Sequence, residues 1–441
     1  MQKDKIRIGC GAGFSGDRLE PALILCEKGN LDYLILECLA ERTIALAQLR
    51  KKKDPTSGYD PLLERRIGPL LPVLVQNKTK LITNMGAANP IEAGRKIIEL
   101  ARKLGLKIKV AVVGGDDVLH LMDPTMPVLE SGHTLRDYSP LISANAYLGI
   151  EAILPALATG ADIIITGRVA DPSLFLAPMV HEFNWSTDDF ELMGKGTVIG
   201  HLLECAGQIT GGYFADPVSK PVPDMHILGH PLAEIQRDGS ATISKIEGTG
   251  GLINSRTAKE QLLYEVLDPF NYLTPDVNAD FSRVEIEEIS LNLIKIKGGN
   301  GQQKPANLKV SVGFAGGYIG EGEISYAGAN AKERALLAGE IIQKRIGELF
   351  EEFKIDLMGI NSLHGDNLGI DSNPYEVRLR VVGKSNREEL ANLVGEEVEA
   401  LYTNGPAGGG GARKFTKEIV GVVSVLLDRN LVNPTLTVLE S

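Results

Sequence analysis

The sequence is poor in the features that mark several large protein classes. It has four cysteines in 441 residues, Cys10, Cys26, Cys38 and Cys205, none in Cys-x-x-Cys spacing. That excludes a disulfide scaffold and points to free thiols in a reducing cytoplasm. No apolar run reaches the roughly 18 residues of a membrane span, since even 150–165 is broken by Pro155, Gly160 and Asp162. The start of the chain is polar and leads straight into a strand-like run, so no export signal is expected. Basic residues are outnumbered, 46 against 57, for a net charge of −11, and the one basic run, 50–53, meets Asp54 and Pro55 and reads as a helix end. Such a surface repels phosphate backbones, so neither a nucleic acid nor a membrane is expected as a partner. Histidine is scarce as well. His226 and His230 are four apart, but Gly229 and Pro231 deny them a helix face, which gives zinc no support.

What is present is the balance of a folded protein, 43% hydrophobic and 23% charged, long enough for two or three domains. Short apolar runs at 6–10, 33–37, 80–84, 108–113 and 162–166 predict strands, with amphipathic helical segments between them. Alternation of this kind implies a parallel sheet covered on both faces, an α/β body over 1–297 that is either doubly wound or barrel-like. Each predicted strand ends in glycine or polar residues: Gly11-Ala12-Gly13, Glu37-Cys38, Asn84-Met85-Gly86, Gly114-Gly115-Asp116-Asp117 and Gly167-Arg168. Ligands bind beyond the carboxyl ends of such strands, so these loops are expected to share one edge and form the site. A turn-rich stretch, 298–305, reads as a hinge. Beyond it the pattern is strand 308–314, a hairpin candidate at 318–326, helix 329–350, strands 355–363 and 376–382, helix 387–401 and strand 419–427. That order predicts a carboxy-terminal α+β domain of ferredoxin-like type over 306–441.

Five motifs carry candidate chemistry. Gly11-Ala12-Gly13-Phe14-Ser15-Gly16 matches Gly-x-Gly-x-x-Gly, with Glu37 placed as a ribose-binding acid would be. Pro21 fits only a helix's first turn, so the helix starts near 17–20, outside the glycine motif, which counts against a dinucleotide site. Gly11, Gly13, Ser15 and Arg18 are then candidates for another anion, or the loop is a plain turn. Leu-Glu-Cys occurs twice, at 36–38 and 203–205, and Glu37 and Glu204 are candidate proton carriers if burial raises their pKa; a paired or capping Glu is the alternative. Thr166, Arg168 and Asp171 place a hydroxyl, a guanidinium fork and a carboxylate at a strand end, either for a substrate anion or for an internal Arg168–Asp171 ion pair. Gly408 to Gly411, between Asn404 and Arg413, reads as a mobile lid or a flexible linker. Asp116 and Asp117 are weak candidates for a divalent ion, with a helix cap as the plainer reading.

Taken together, residues 11–18, Asn84-Met85-Gly86-Ala87-Ala88-Asn89-Pro90, 166–173, 200–217, 247–251 and 404–413 resemble the acyclic terpene utilisation protein A family, AtuA, over nearly the whole chain. The resemblance implies a bacterial cytoplasmic protein of a catabolic pathway that handles branched acids as acyl-CoA thioesters. It supplies no catalytic residue set. The leading expectation is therefore a hydratase, lyase or isomerase acting on a small carboxylic acid or an acyl-CoA thioester, with no certain cofactor. Glu37 or Glu204 would move the proton, Asn84 and the Gly86 backbone would hold an oxyanion, and Arg18, Arg168, Gly211, Gly212, Asn404, Gly409 and Arg413 would bind substrate. The alternatives are a non-catalytic acyl-CoA-binding or assembly subunit, which a missing nucleophile or metal cluster would favour, and an NAD(P)-dependent oxidoreductase resting on 11–16 alone. A homo-oligomer is expected, with another pathway protein as a possible partner.

Overall fold

The structure, a computed structural model, describes residues 3–369 and 371–441. The chain runs β1 (Lys5–Ala12), α1 (Glu20–Lys28), β2 (Tyr33–Leu36), α2 (Glu41–Lys53), α3 (Leu63–Asn77), β3 (Lys80–Thr83) and α4 (Pro90–Lys103). It continues through β4 (Lys109–Gly114), β5 (Leu141–Ala146), α5 (Ile150–Ala158), β6 (Ile163–Thr166), α6 (Asp171–Phe183) and α7 (Phe190–Glu204). Next come β7 (Pro231–Gln236), β8 (Ala241–Lys245), α8 (Ser255–Leu263), β9 (Tyr272–Leu273), β10 (Asn278–Asp280), β11 (Glu285–Ser290), β12 (Leu293–Lys297), β13 (Asn300–Gln302) and β14 (Asn307–Ala327). The last elements are α9 (Ala331–Ile346), β15 (Glu352–Met358), α10 (Asp366–Gly369), β16 (Glu376–Ser385), α11 (Glu388–Asn404), β17 (Gly410–Asp428) and β18 (Thr435–Glu440).

Two compact units result, Met1–Gly313 with Val422–Ser441, and Phe314–Gly421. In the first, ten strands form one mixed sheet in the order β11-β12-β8-β7-β1-β2-β3-β6-β4-β18. The five central strands, β1, β2, β3, β6 and β4, are parallel, and every residue of β2 and β6 is buried. Short strands of Leu, Ile and Val can be buried on both faces only where helices cover the sheet. Here α1, α3 and α4 pack Leu25, Ile67, Leu70, Leu71 and Ile97 onto Leu34, Leu36, Leu81, Val110 and Ile165 in one apolar cluster. Because these strands are parallel, their carboxyl ends share one edge. The sheet is open, ending at β11 and β18, so the barrel alternative does not apply.

In the second unit the strand order is β15-β16-β14-β17, and α9 and α11 contribute Ala335, Ala338, Ile342, Val394 and Val398 to a core with Ile324, Leu379 and Val381. The observed units differ from the expected 1–297 and 306–441. The chain leaves the first unit within β14 and returns to it within β17, and β18 then pairs antiparallel with β4, from Thr435 opposite Gly114 to Glu440 opposite Lys109. The expected hairpin at 318–326 is instead the continuation of β14, because Gly317 (φ +80°) sits inside the strand rather than reversing it. The glycine run read as a lid is ordered too. Gly410 and Gly411 open β17, the Ala412 amide donates to the Tyr402 hydroxyl, and the Arg334 guanidinium donates to the Ala407 carbonyl. No helix among the described residues is long and apolar enough to cross a membrane.

Candidate functional site

At the carboxyl edge of the parallel strands of the first unit lies a cavity of about 1100 Å³. The loop after β1 reaches it by passing against the end of α7. A Cβ on Gly13 would fall 2.5 Å from the Cys205 carbonyl carbon, so only glycine allows that approach. The helix stops there because Ala206, fully buried, takes a left-handed conformation (φ +44°). Gly13, Ser15, Arg18, Glu37, Asp171 and Gly212, all candidates from the sequence, line this cavity, together with Asp17, Glu41, Tyr147, Cys205, Tyr264, Glu265, Tyr272 and Lys309, which sequence reasoning missed.

Glu37 stands at the end of β2 and is 7% exposed. Its Oε1 accepts from the Leu39 amide (2.9 Å) and from Asn84 Nδ2 (2.8 Å), while among the described residues Oε2 has no hydrogen bond. Burial pushes its pKa well above the carboxylate range. The neighbouring Asp171 charge adds to this, and Arg168 opposes it only in part. Asn84 is fully buried, and its Oδ1 accepts from the Cys38 amide (2.7 Å). Both ends of its amide are thus committed to the β2 loop, which corrects the expected oxyanion role: Asn84 holds Glu37. Gly86 is likewise structural, since a Cβ there would fall 2.4 Å from the Thr166 carbonyl oxygen, and the Thr166 hydroxyl donates to the Gly167 carbonyl.

Arg168 is 1% exposed and does not line the cavity. Its guanidinium donates to the carbonyls of Leu39 and Val169 and to Asp171, and lies 4.5 Å over the Tyr147 ring. Burial works against its charge, but Asp171, Tyr147, Glu37 and Glu41 keep it ionised. The expected substrate fork is therefore an internal clasp that fixes the Glu37 loop. Arg18 is occupied as well, donating from Nη1 to the carbonyls of Met225 (3.1 Å) and His226 (2.9 Å). In the glycine loop the amides of Gly13 and Phe14 donate to Asp17 Oδ2 at 2.6 and 3.3 Å, and α1 begins only at Glu20, so the backbone forms no open dinucleotide cradle. Gly11 is buried within β1 against Leu36 and Ala22, and Gly211 (φ +103°) packs on Val222.

Glu204 lies behind Cys205, off the cavity wall. Its Oε1 is 2.8 Å from His201 Nδ1, and the imidazole packs against both Tyr272 and Phe281, at ring distances of 5.2 and 5.3 Å. Burial lowers the His201 pKa to about 4, and burial, helped by Asp171 and Glu265, raises that of Glu204. Both shifts favour the neutral pair, in which Glu204 is the donor to Nδ1. Glu204→Gln reproduces that donor. A raised pKa means the protonated form favours the fold below the unfolded value near 4.3, and this contribution is lost as pH rises through the folded value. Gln does not lose it, so Glu204→Gln should melt at or above wild type at pH 8, with the gap closing toward pH 4. Thermal melts across pH check this.

Glu41 accepts from the Tyr147 hydroxyl and from Lys309 Nζ (3.2 Å). Burial works to raise its pKa, but these bonds and the Arg168 charge bring it down to about 2. Asp116 Oδ2 accepts from Asn145 Nδ2 and the Arg168 amide, and Asp117 accepts from Gln48 and the Leu119 amide, so both serve hydrogen bonds. Among the described residues no group of three or more His, Cys, Asp or Glu could hold a metal ion. Asn404, Gly409 and Arg413 belong to the second unit: Asn404 Nδ2 donates to the Ala400 carbonyl, Gly409 packs on Ile324, and Arg413 is exposed.

These features define a mixed α/β protein with a carboxylate-lined, small-molecule-sized cavity at the strand ends. The family model described as acyclic terpene utilisation family protein AtuA matches residues 6–438, and the chain belongs to that family, which gives it a catabolic role. No curated protein and no solved structure shows a significant match to the chain.

Proposed function

We propose that this protein is an acid–base enzyme of thioester catabolism, of the hydratase, lyase or isomerase type, with Glu37 as the proton carrier. The observation that carries the reading is a buried carboxyl at a strand end, on the wall of the cavity, anchored through Oε1 and with no hydrogen bond to Oε2 among the described residues. A carboxylate with a raised pKa is a stronger base than an exposed one once ionised, and an acid near neutrality while protonated. It would take the proton from the carbon beside a thioester carbonyl, the C–H electron pair passing to the carbonyl oxygen, and return a proton in the next step. Tyr272 lines the same cavity, its hydroxyl makes no hydrogen bond among the described residues, and burial keeps it protonated, so it is the proposed donor to that oxygen.

An acyl thioester, neutral at its reacting end, suits this cavity better than a free carboxylate. Asp17, Glu37, Glu41, Asp171 and Glu265 line it against Arg18 and Lys309, and both cations are already engaged. The fold reading that accompanies this is a doubly wound first unit and a ferredoxin-like second one. Its support is the return crossover that inserts β6 between β3 and β4, and the order β15-β16-β14-β17.

The test is a thermal-shift and turnover panel of acyl-CoA thioesters, free di- and tricarboxylates, NAD and NADP. A thioester should be converted and should stabilise the protein, by about 2.7 kcal/mol at a hundredfold excess over its dissociation constant. Binding without conversion would favour an acyl-CoA-binding subunit, and stabilisation by carboxylates or nicotinamides alone would overturn the reading.

A further inference from the structure

Arg66 lies on α3, against the loop that follows β1. It is 3% exposed, and among the described residues it makes no ion pair. Its Nη2 donates to the carbonyls of Ser15 (2.9 Å) and Asp17 (2.6 Å), while Nε and Nη1 are buried with no hydrogen-bond partner among the described residues. Buried guanidinium donors are almost always paired, so two orphaned nitrogens on one fork call for a missing acceptor. The guanidinium lies close enough to Cys38, on the cavity wall, to be the main electrostatic influence on that thiol.

The loop above Arg66 already holds one oxyanion, its own. The Asp17 carboxylate collects the amides of Gly13 and Phe14, two successive backbone donors, an arrangement suited to phosphate. Arg18, next in sequence, lines the cavity beside them. A carboxylate filling such a nest satisfies it when no ligand is present and bars it to a second anion.

We propose that the 13–17 loop is a phosphoryl-binding site plugged by Asp17, and that Arg66 is its guanidinium. A phosphoryl group entering from the cavity would replace the Asp17 carboxylate at the Gly13 and Phe14 amides and accept from Arg66 Nε and Nη1. A tetrahedral group with three peripheral oxygens can meet backbone amides and a guanidinium edge together. The inference deepens the cavity reading by giving the ligand a phosphorylated end, but it does not use the proton chemistry at Glu37.

The test is calorimetric titration with inorganic pyrophosphate at fixed ionic strength, with malonate as the carboxylate control. Asp17→Asn keeps an acceptor for the two amides and removes the competing charge, so it should bind pyrophosphate about tenfold or more tighter than wild type, as expected for gaining a charge-assisted contact. Adding Arg66→Met to Asp17→Asn should abolish that gain. Should Arg66→Met not fold, Arg66→Lys, which keeps the charge and loses the fork, should still weaken binding. Unchanged pyrophosphate affinity in Asp17→Asn, a gain that survives loss of the Arg66 fork, or tighter binding of malonate would each overturn the proposal. Because the readout is binding alone, its failure leaves the Glu37 reading standing, and an inactive cavity would not erase a pyrophosphate site.

Discussion

Replacing Glu37 by Gln should lower thioester turnover by about 10²- to 10⁴-fold, the contribution typical of a positioned acid or base. The fold should not suffer. Gln keeps the oxygen that accepts from the Leu39 amide and from Asn84 Nδ2, so the β2 loop retains its anchors. The pH dependence separates the two effects. Glu37 has a folded pKa raised by burial and by Asp171, so its protonated form favours the fold below the unfolded value near 4.3. That contribution is lost as pH rises through the folded value, whereas a Gln at this position has nothing to lose. Glu37→Gln should therefore be at least as stable as wild type at neutral pH while being nearly inactive. In wild type, proton abstraction needs the ionised carboxylate, so kcat/KM should climb with pH through that raised value. Stopped-time assays across pH, paired with thermal melts, read both. Turnover unchanged in Glu37→Gln would remove it as the proton carrier.

Arg168→Met should give the largest loss of stability, about 1–3 kcal/mol, the range for a buried acceptor left without its donor, since the Asp171 side chain is partly exposed. Met resembles the aliphatic stem in shape but leaves the Leu39 and Val169 carbonyls and the Asp171 carboxylate without their donor, and vacates the contact over Tyr147. The loss should concentrate where Arg168 acts, in the loop that carries Glu37. Removing the guanidinium also withdraws the charge that holds the Glu37 pKa down, so the rising limb of the rate profile should move to higher pH. Urea unfolding measures the first effect and the pH profile the second. A loss below about 1 kcal/mol, the scale of an exposed pair, would show that the clasp is not a structural one.

Several of these roles were legible in the chain before any coordinates. The strand positions follow from short buried runs such as Ile163 to Thr166, and Pro21 sets the start of α1 because it is tolerated only in a first turn. Membership of the AtuA family is carried by long motifs spread from residue 11 to residue 413. The clustering of loops at one sheet edge follows from parallel strands with polar ends. Beyond that, local pattern stops informing. Arg168 and Asn84 have the composition of ligand-binding groups, and only packing shows that their donors are spent on Leu39, Asp171 and Glu37. Lys309 and Tyr272 carry no local signal, since they reach the cavity from strands more than a hundred residues away from the Glu37 loop. Arg66, in the first turn of α3, is of the same kind.

The sequence by itself determined the family, the α/β alternation and the edge at which chemistry would gather, because hydrophobic period, proline and glycine act over a few residues at a time. Which carboxylate faces a cavity, which arginine is already satisfied and which is not, were decided by tertiary structure alone. A side chain's charge and hydrogen bonds depend on what distant segments place around it, and burial, which sets the pKa of Glu37 and the unmet donors of Arg66, exists only once those segments have packed.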